Sequence, residues 1–265
     1  MKTLTIANQK GGVGKSAIAC QLTYYIALKL GKSILFIDFD HQQNSTNRFK
    51  EGKIAEISSV ESNKILTDSH VELEDSNFLV LSGNYDILID LEKAGEEKRD
   101  TYVQNLYQFI QDNSENFDYC IIDTNPSPDI RQLSALMTSD FLLSPIQPNS
   151  EALEGLSRLL THPEIGLKNI QENVNTGLEF IGLLPNLHDL KKVRQNEKLK
   201  ELIETYPDLM IKVGRKFPSI KNRAALSDAQ DEGIPIWMLS KGRGRIHWSE
   251  IKPIFDKIIK KMGAK

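Results

Sequence analysis

Gln9-Lys10-Gly11-Gly12-Val13-Gly14-Lys15-Ser16 follows a short apolar run, residues 3–7, and precedes a helical pattern that begins near Lys15. Strand, glycine-rich turn and helix in that order turn backbone N–H groups and the positive end of a helix toward an anion. Gly11, Gly12 and Gly14 can take positive φ and leave room for the backbone to approach phosphate oxygens. In such a loop Lys15 reaches the β- and γ-phosphates of a nucleotide, and the Ser16 hydroxyl ligates Mg2+. The usual spacing, G-x-x-x-x-G-K-[ST], would put glycine where Gln9 stands. A second lysine, Lys10, stands beside that position instead.

Beyond the loop, Ile18, Leu22, Tyr25, Ile26 and Leu30 recur at helical spacing up to Gly31, a residue type suited to a helix C-terminus. Residues 33–37 read as a buried strand ending in Asp38-Phe39-Asp40. Strand, helix and strand over so short a distance imply a right-handed crossover and a parallel sheet. Carboxylates at the C-terminal end of a strand lie on the edge where α/β proteins bind ligands. Further strands are predicted at 78–81, 119–122, 141–146, 178–184 and, briefly, 210–213. Helices are predicted at 59–66, 102–110, 130–137, 151–160, 191–206 and 251–262. Strands and helices alternate without repeats or low-complexity linkers. The expected fold is α/β, a single doubly wound and mainly parallel sheet flanked by helices, with one domain over residues 1–265.

The 265 residues suit one large α/β domain or two small ones, and 40% apolar with 26% charged residues suits a globular chain with a substantial core. Two cysteines without paired spacing argue against a disulfide framework or a thiolate metal site. The first residues lack a charged-then-apolar secretory pattern, and no apolar run approaches the about 18 residues that span a bilayer. The expected location is cytoplasmic. The net charge of −3 is uneven: residues 191–265 carry 18 Lys/Arg against 9 Asp/Glu, leaving 15 against 27 in the rest. That asymmetry points to an anionic partner for the C-terminal third.

Ile121-Ile122-Asp123-Thr124-Asn125-Pro126 reads as a Walker B strand, a motif whose acid, here Asp123, holds Mg2+ through water. Magnesium keeps several waters and takes one or two carboxylates, so one acid is sufficient.

Lys10-Gly11-Gly12-x-Gly14-Lys15-Ser16 resembles the deviant Walker A loop of ParA/MinD-type ATPases, and residues 37–46 resemble the ParA switch I segment, close to D-x-D-P-Q-G-N-A-T. Asp38, Asp40, Gln42, Asn44 and Thr46 match; His41, Gln43 and Ser45 replace Pro, Gly and Ala. Residues 121–126 resemble the Walker B strand and switch II, with Asn125 and Asp129 departing from the usual pattern. Residues 77–88, 139–148, 152–156 and 183–189 continue the likeness. The chain starts directly on the first strand and so resembles the short ParA proteins, which lack an N-terminal operator-binding domain.

The resemblance implies a catalytic set of Lys10, Lys15 and Asp40, with Asp40 orienting the attacking water. It implies ATP held by Lys10, Gly11, Gly12, Val13, Gly14, Lys15, Ser16 and Ala17, with Asn186 near adenine, and Mg2+ attended by Ser16, Asp38 and Asp123. It implies an ATP-dependent homodimer in which each Lys10 reaches the partner's phosphates. Non-specific DNA and a ParB-like protein that stimulates hydrolysis are the other implied partners, with a nucleoid-associated location. Candidate DNA contacts are Lys191, Lys192, Arg194, Arg215, Lys216, Lys221, Arg223, Lys241, Arg243 and Arg245. The alternative is a MinD-like, membrane-associated ATPase anchored by an amphipathic helix at 251–262. A nitrogenase-type reductase would need cluster thiolates, whereas Cys20 and Cys120 fall in a helix and a buried strand. A non-hydrolysing nucleotide switch is left open by Asn125 and Asp129.

Overall fold

Strands covered on both faces read as unbroken apolar runs, and most strands of this chain do. A computed structural model describes residues 1–92 and 98–263. Its strands are β1 (Lys2–Ile6), β2 (Ile34–Asp38), β3 (Glu56–Glu61), β4 (Phe78–Ser82), β5 (Tyr119–Asp123), β6 (Phe141–Ile146) and β7 (Glu179–Pro185). They form one parallel sheet in the order β3-β4-β2-β5-β1-β6-β7. β2, β5 and β6 are buried at every position, whereas β3, at the edge, is mostly half-exposed.

The helices are α1 (Lys15–Tyr24), α2 (Asn44–Gly52), α3 (Lys64–Thr67), α4 (Tyr85–Glu92), α5 (Arg99–Asp112), α6 (Ile130–Thr138), α7 (Ala152–Thr161), α8 (Leu167–Asn169), α9 (Val193–Thr205), α10 (Ala224–Asp231) and α11 (Arg243–Lys261). Side chains alternate across the strands, so each strand feeds two cores. Ile34 and Phe36 pack with Ile18, Leu22, Phe49, Phe255 and Ile258 from α1, α2 and α11. Leu35 and Ile37 pack on the other face with Leu106, Phe109 and Ile110 of α5. Toward β6 and β7, Leu142 and Leu183 meet Leu133 and Leu136 of α6, Leu156 and Leu159 of α7, and Leu202 of α9. Helices on both faces of a parallel sheet make the fold doubly wound, as expected from the sequence.

Three elements differ from expectation. The helix expected at 59–66 is strand β3 followed by the short α3. In so polar a stretch a period of two and one of 3.6 are hard to separate, and pairing with β4 decides the outcome. Residues 210–213 form no strand: Met210 makes a lone bridge to Leu183, and Val213 turns back onto Lys216 with Gly214 at φ 60°. The terminal helix begins at Arg243 and contains Pro253. Proline at that place suggests a helix start, but Ile251, Ile254, Phe255, Ile258, Ile259 and Met262 are all buried, and this packing outweighs the lost backbone hydrogen bond. α2, α4, α8 and α10 had no predicted counterpart.

Candidate nucleotide site

In a parallel sheet the C-terminal ends of neighbouring strands share one edge, and register decides which residues meet there. Asp123 ends β5 opposite Ile6 of β1 on one side and Asp38 of β2 on the other. The glycine-rich loop, the Asp38–Asp40 turn and Asp123 are therefore brought together by the register of three adjacent strands.

Gly12 and Gly14 take φ of 74° and 86°, the left-handed region that glycine permits. The loop then enters α1 with Ser16 in its first turn. Lys15 is folded inward, 6% exposed, and its Nζ donates to the carbonyls of Asn8 (3.1 Å) and Lys10 (3.3 Å). Burial pushes its pKa down by penalising the ammonium form, against the opposing charges of Asp123 and Asp40. Lys10 points the other way. Its Nζ donates to Asn149 Oδ1 (3.2 Å) and pairs with the Glu151 carboxylate, leaving the side chain 24% exposed. The two lysines thus occupy opposite sides of one loop.

Asn8 fixes the loop from below: its Oδ1 accepts from the Lys10 N–H (2.9 Å), and its Nδ2 donates to Ser144 Oγ (3.2 Å) and the Pro145 carbonyl (2.9 Å) of β6. Asn186, fully buried at the end of β7, donates through Nδ2 to the Val13 carbonyl at 2.8 Å, and its Oδ1 has no hydrogen-bond partner. It therefore lies against the phosphate-loop backbone. Val13 and Ala17 are buried, whereas Gly11 and Gly12 are exposed.

Asp38 and Asp123 are wholly buried. Asp38 Oδ1 accepts from the Asp40 N–H (3.0 Å), and Oδ2 accepts from the Thr46 N–H (2.9 Å) and hydroxyl (2.7 Å). Asp123 Oδ2 accepts from Ser45 Oγ at 2.7 Å. Burial raises the pKa of both, and at Asp38 the Asp123 charge adds to it. The remaining Asp123 oxygen, Oδ1, is buried with no partner, while the Ser45 and Ser16 hydroxyls nearby favour the ionised carboxylate against its burial. An orphaned buried carboxylate oxygen beside a hydroxyl and a second acid is an oxygen donor set that fits Mg2+. Asp40, 8% exposed, accepts from the Gln42 N–H at 3.0 Å, with His41 Nδ1 3.8 Å away.

Sequence reasoning passed over Asn8, Asn149, Glu151 and the role of Ser45. Ser45 was visible only as a departure from the switch I pattern; its partner is set by how α2 approaches β5. Asn8 and Asn149 are polar residues flanking strands, a signal too common to single them out.

Among the basic candidates, Lys191, Lys192, Arg194, Arg215, Lys216, Arg223 and Arg245 are exposed, and Lys221 pairs with Glu250 at 3.1 Å. The bridge between His188 and Lys221 brings the 186–192 segment beside the 219–223 segment. Lys221, Arg223, His247 and Glu250 line one small cleft, which brings α11 to the same region. Arg215 and Lys216 sit on the separate Val213–Lys216 turn. The side chains of Lys241 and Arg243 lie outside the described residues. The apolar side of α11 is buried against β2, α1 and neighbouring elements, so the amphipathic helix considered as an anchor has its apolar face covered by the protein's own core. No helix among the described residues is long and apolar enough to cross a membrane. Cys20 and Cys120 are both buried.

A seven-stranded parallel sheet with a lysine-bearing phosphate loop after its first strand, and paired acids at the same edge, defines a P-loop nucleoside triphosphatase. The family of AAA domains, AAA_31, matches residues 1–180. Protein IncC of Escherichia coli is 26% identical over 99% of this chain and 70% of that protein. The chromosome-partitioning ATPase Soj of Treponema pallidum is 28% identical over 89% of this chain and 88% of its own. The ATP complex of McdA from Cyanothece superposes with a TM-score of 0.77 at 24% identity, covering 100% of this chain and 97% of the other. The chain belongs to the AAA_31 family of AAA domains and is a ParA-type ATPase, an ATP hydrolase of the partition class. ATP with Mg2+ is the pair of groups such a site takes.

Proposed function

We propose that the chain acts as one ATPase domain over residues 1–265. It dimerises in the ATP state, binds DNA without sequence preference as that dimer, and segregates or positions a plasmid or chromosomal DNA cargo. A ParB-like partner would stimulate hydrolysis and release the dimer, in the cytoplasm and on the nucleoid. The observation that carries this reading is the opposed placement of the two loop lysines. Lys15 is buried against its own loop, whereas Lys10 stands on the outer side within reach of solvent. One lysine serves the nucleotide of its own protomer; the other, held by Asn149 and Glu151 on the outer side, would exchange those partners for a neighbour's phosphates.

The backbone N–H groups from Gly11 to Ala17 cradle the phosphates, and Lys15 exchanges its loop carbonyls for phosphate oxygens. Asn186 braces the loop through the Val13 carbonyl and would lie toward the base. Ser16 and Asp123 would hold Mg2+, with Asp38 supporting the site and anchoring the start of α2 through Thr46. Bound Mg2+ supplies charge neutralisation at the phosphates. Asp40 orients the attacking water; a carboxylate suits this task because phosphoryl transfer relies on positioning and electrostatics. Lys191, Lys192, Lys221 and Arg223, on the adjoining 186–192 and 219–223 segments, would supply phosphate contacts, with Arg194, Arg215, Lys216, Lys241, Arg243 and Arg245 extending the set. The buried apolar face of α11 favours this DNA reading over membrane anchoring.

Lys15→Ala should lose ATP–Mg2+ binding. Lys10→Ala should keep it and lose ATP-dependent dimerisation, read by sedimentation, together with DNA retention. Wild-type dimerisation by Lys10→Ala would overturn the trans-lysine role.

A further inference from the structure

Arg131, in the first turn of α6, has no exposed surface and is the largest fully buried side chain described. Burying a guanidinium carries a large desolvation cost, and a buried ion pair is a weak source of stability. Arg131 therefore calls for an explanation other than stability. Its bonds supply one. Nε and Nη2 donate to the two oxygens of Asp129 at 3.1 and 2.5 Å, and Nη1 approaches the Phe39 carbonyl at 3.5 Å. Asp129 caps α6 by accepting the Arg131 N–H at 2.9 Å, and it also accepts from Asn125 Nδ2 at 2.6 Å. The two residues that depart from the switch II pattern, Asn125 and Asp129, are thus members of one buried network.

That network reaches across to switch I. The Phe39 N–H donates to the Asp123 carbonyl at 2.9 Å, so the Phe39 backbone is held by β5 on one side and by Arg131 on the other. The next residue is Asp40. From this arrangement we infer that Arg131 is a positioning residue for ATP hydrolysis: through the Phe39 carbonyl it sets where the Asp40 carboxylate stands. Asp129 aims the guanidinium and Asn125 aims Asp129. The inference rests on the reading of Asp40 as the group that orients water.

The test is steady-state ATP hydrolysis by Arg131→Met, Arg131→Lys and Asp40→Ala, and by the Arg131→Met/Asp40→Ala pair, with ATP affinity and melting temperature measured alongside. Arg131→Met should lower kcat roughly 10- to 100-fold and leave KM within about twofold, the split expected when a group acts on transition-state geometry. Arg131→Lys, which keeps a cation for Asp129, should recover part of the loss. Adding Arg131→Met to Asp40→Ala should change nothing further. The Asp129→Asn/Arg131→Met variant removes the Asp129 charge together with the guanidinium it holds and gives the same reading if Arg131→Met does not fold. Unchanged kcat overturns the inference. So does a loss of kcat, KM and melting temperature together, or a full extra loss on top of Asp40→Ala. Reduced turnover by Asp40→Ala with normal turnover by Arg131→Met removes the inference alone; normal turnover by Asp40→Ala removes the Asp40 role and the inference with it.

Discussion

Gly14 shows how much one missing Cβ carries. Its φ of 86° is the left-handed region, and a Cβ built there would stand 2.2 Å from Asn186 Nδ2. Gly14→Ala thus meets strain of about 1–2 kcal/mol from the backbone and a collision with the residue that holds the Val13 carbonyl. The expected outcome is a folded protein with ATP affinity reduced at least tenfold, read by titration with a fluorescent nucleotide. Adding Asn186→Gly should recover part of the loss by removing the collision; no recovery would place the defect in the backbone alone. The loop glycines, both lysines, Asp38, Asp40 and Asp123 were legible because their spacing along the chain is the chemistry. Asn8, Ser45 and Arg131 were not. Their partners lie on elements far away in sequence, and nothing local distinguishes a serine that bonds a buried aspartate from one that faces water.

At the scale of elements, the edge strand β3 is secured by a charge. Glu74 accepts hydrogen bonds from the Ser58 hydroxyl (2.6 Å), the Ser59 N–H (2.7 Å) and the Ser59 hydroxyl, and these hold its pKa down at about 2 against the ordinary 4.5. A carboxyl whose folded pKa lies below its unfolded value adds stability above the unfolded pKa. That contribution is lost as pH falls from 4.5 through about 2. Replacing Ser58 and Ser59 together by alanine should move the Glu74 pKa back toward 4.5, read by NMR titration, and shrink the acid-dependent part of the melting curve in that window. An unmoved pKa would mean that these bonds do not hold Glu74. The terminal helix α11 is secured by burial instead. Ile258 is fully buried in the core between α11 and the sheet, so Ile258→Ala should cost about 2–5 kcal/mol in urea denaturation. A cost under 1 kcal/mol would mean that the helix is not docked as described. The buried strands and most of the longer helices could be read from their periods, whereas the short α2, α4 and α10 were not. β3 and the first half of α11 could not, because polar alternation and an interior proline each support a second local reading that only packing rejects.

For the molecule as a whole, the decisive property is where charge collects. The C-terminal third holds twice as many cations as anions, and the fold sets the 186–192 and 219–223 segments side by side and brings α11 next to them. Binding to duplex DNA of arbitrary sequence should require ATP and fall roughly a thousandfold between about 50 and 200 mM salt if six or so phosphates are contacted. Fluorescence anisotropy with Lys191→Glu/Lys192→Glu should show weaker binding and a shallower salt slope. Binding that ignores salt or nucleotide would sink the DNA reading.

The sequence by itself determined the phosphate loop, the parallel α/β class, the buried strands and most of the longer helices, and the acids at the ends of β2 and β5. These depend on spacing and periodicity, which are local properties of a chain. Only the tertiary structure decided that Lys10 faces outward while Lys15 faces inward, that Ser45 and Thr46 hold the two buried aspartates, and that Arg131 joins the two switch segments. Those are outcomes of sheet register and helix docking. They arise from burial summed over the whole core, and no single segment of the chain contains that sum.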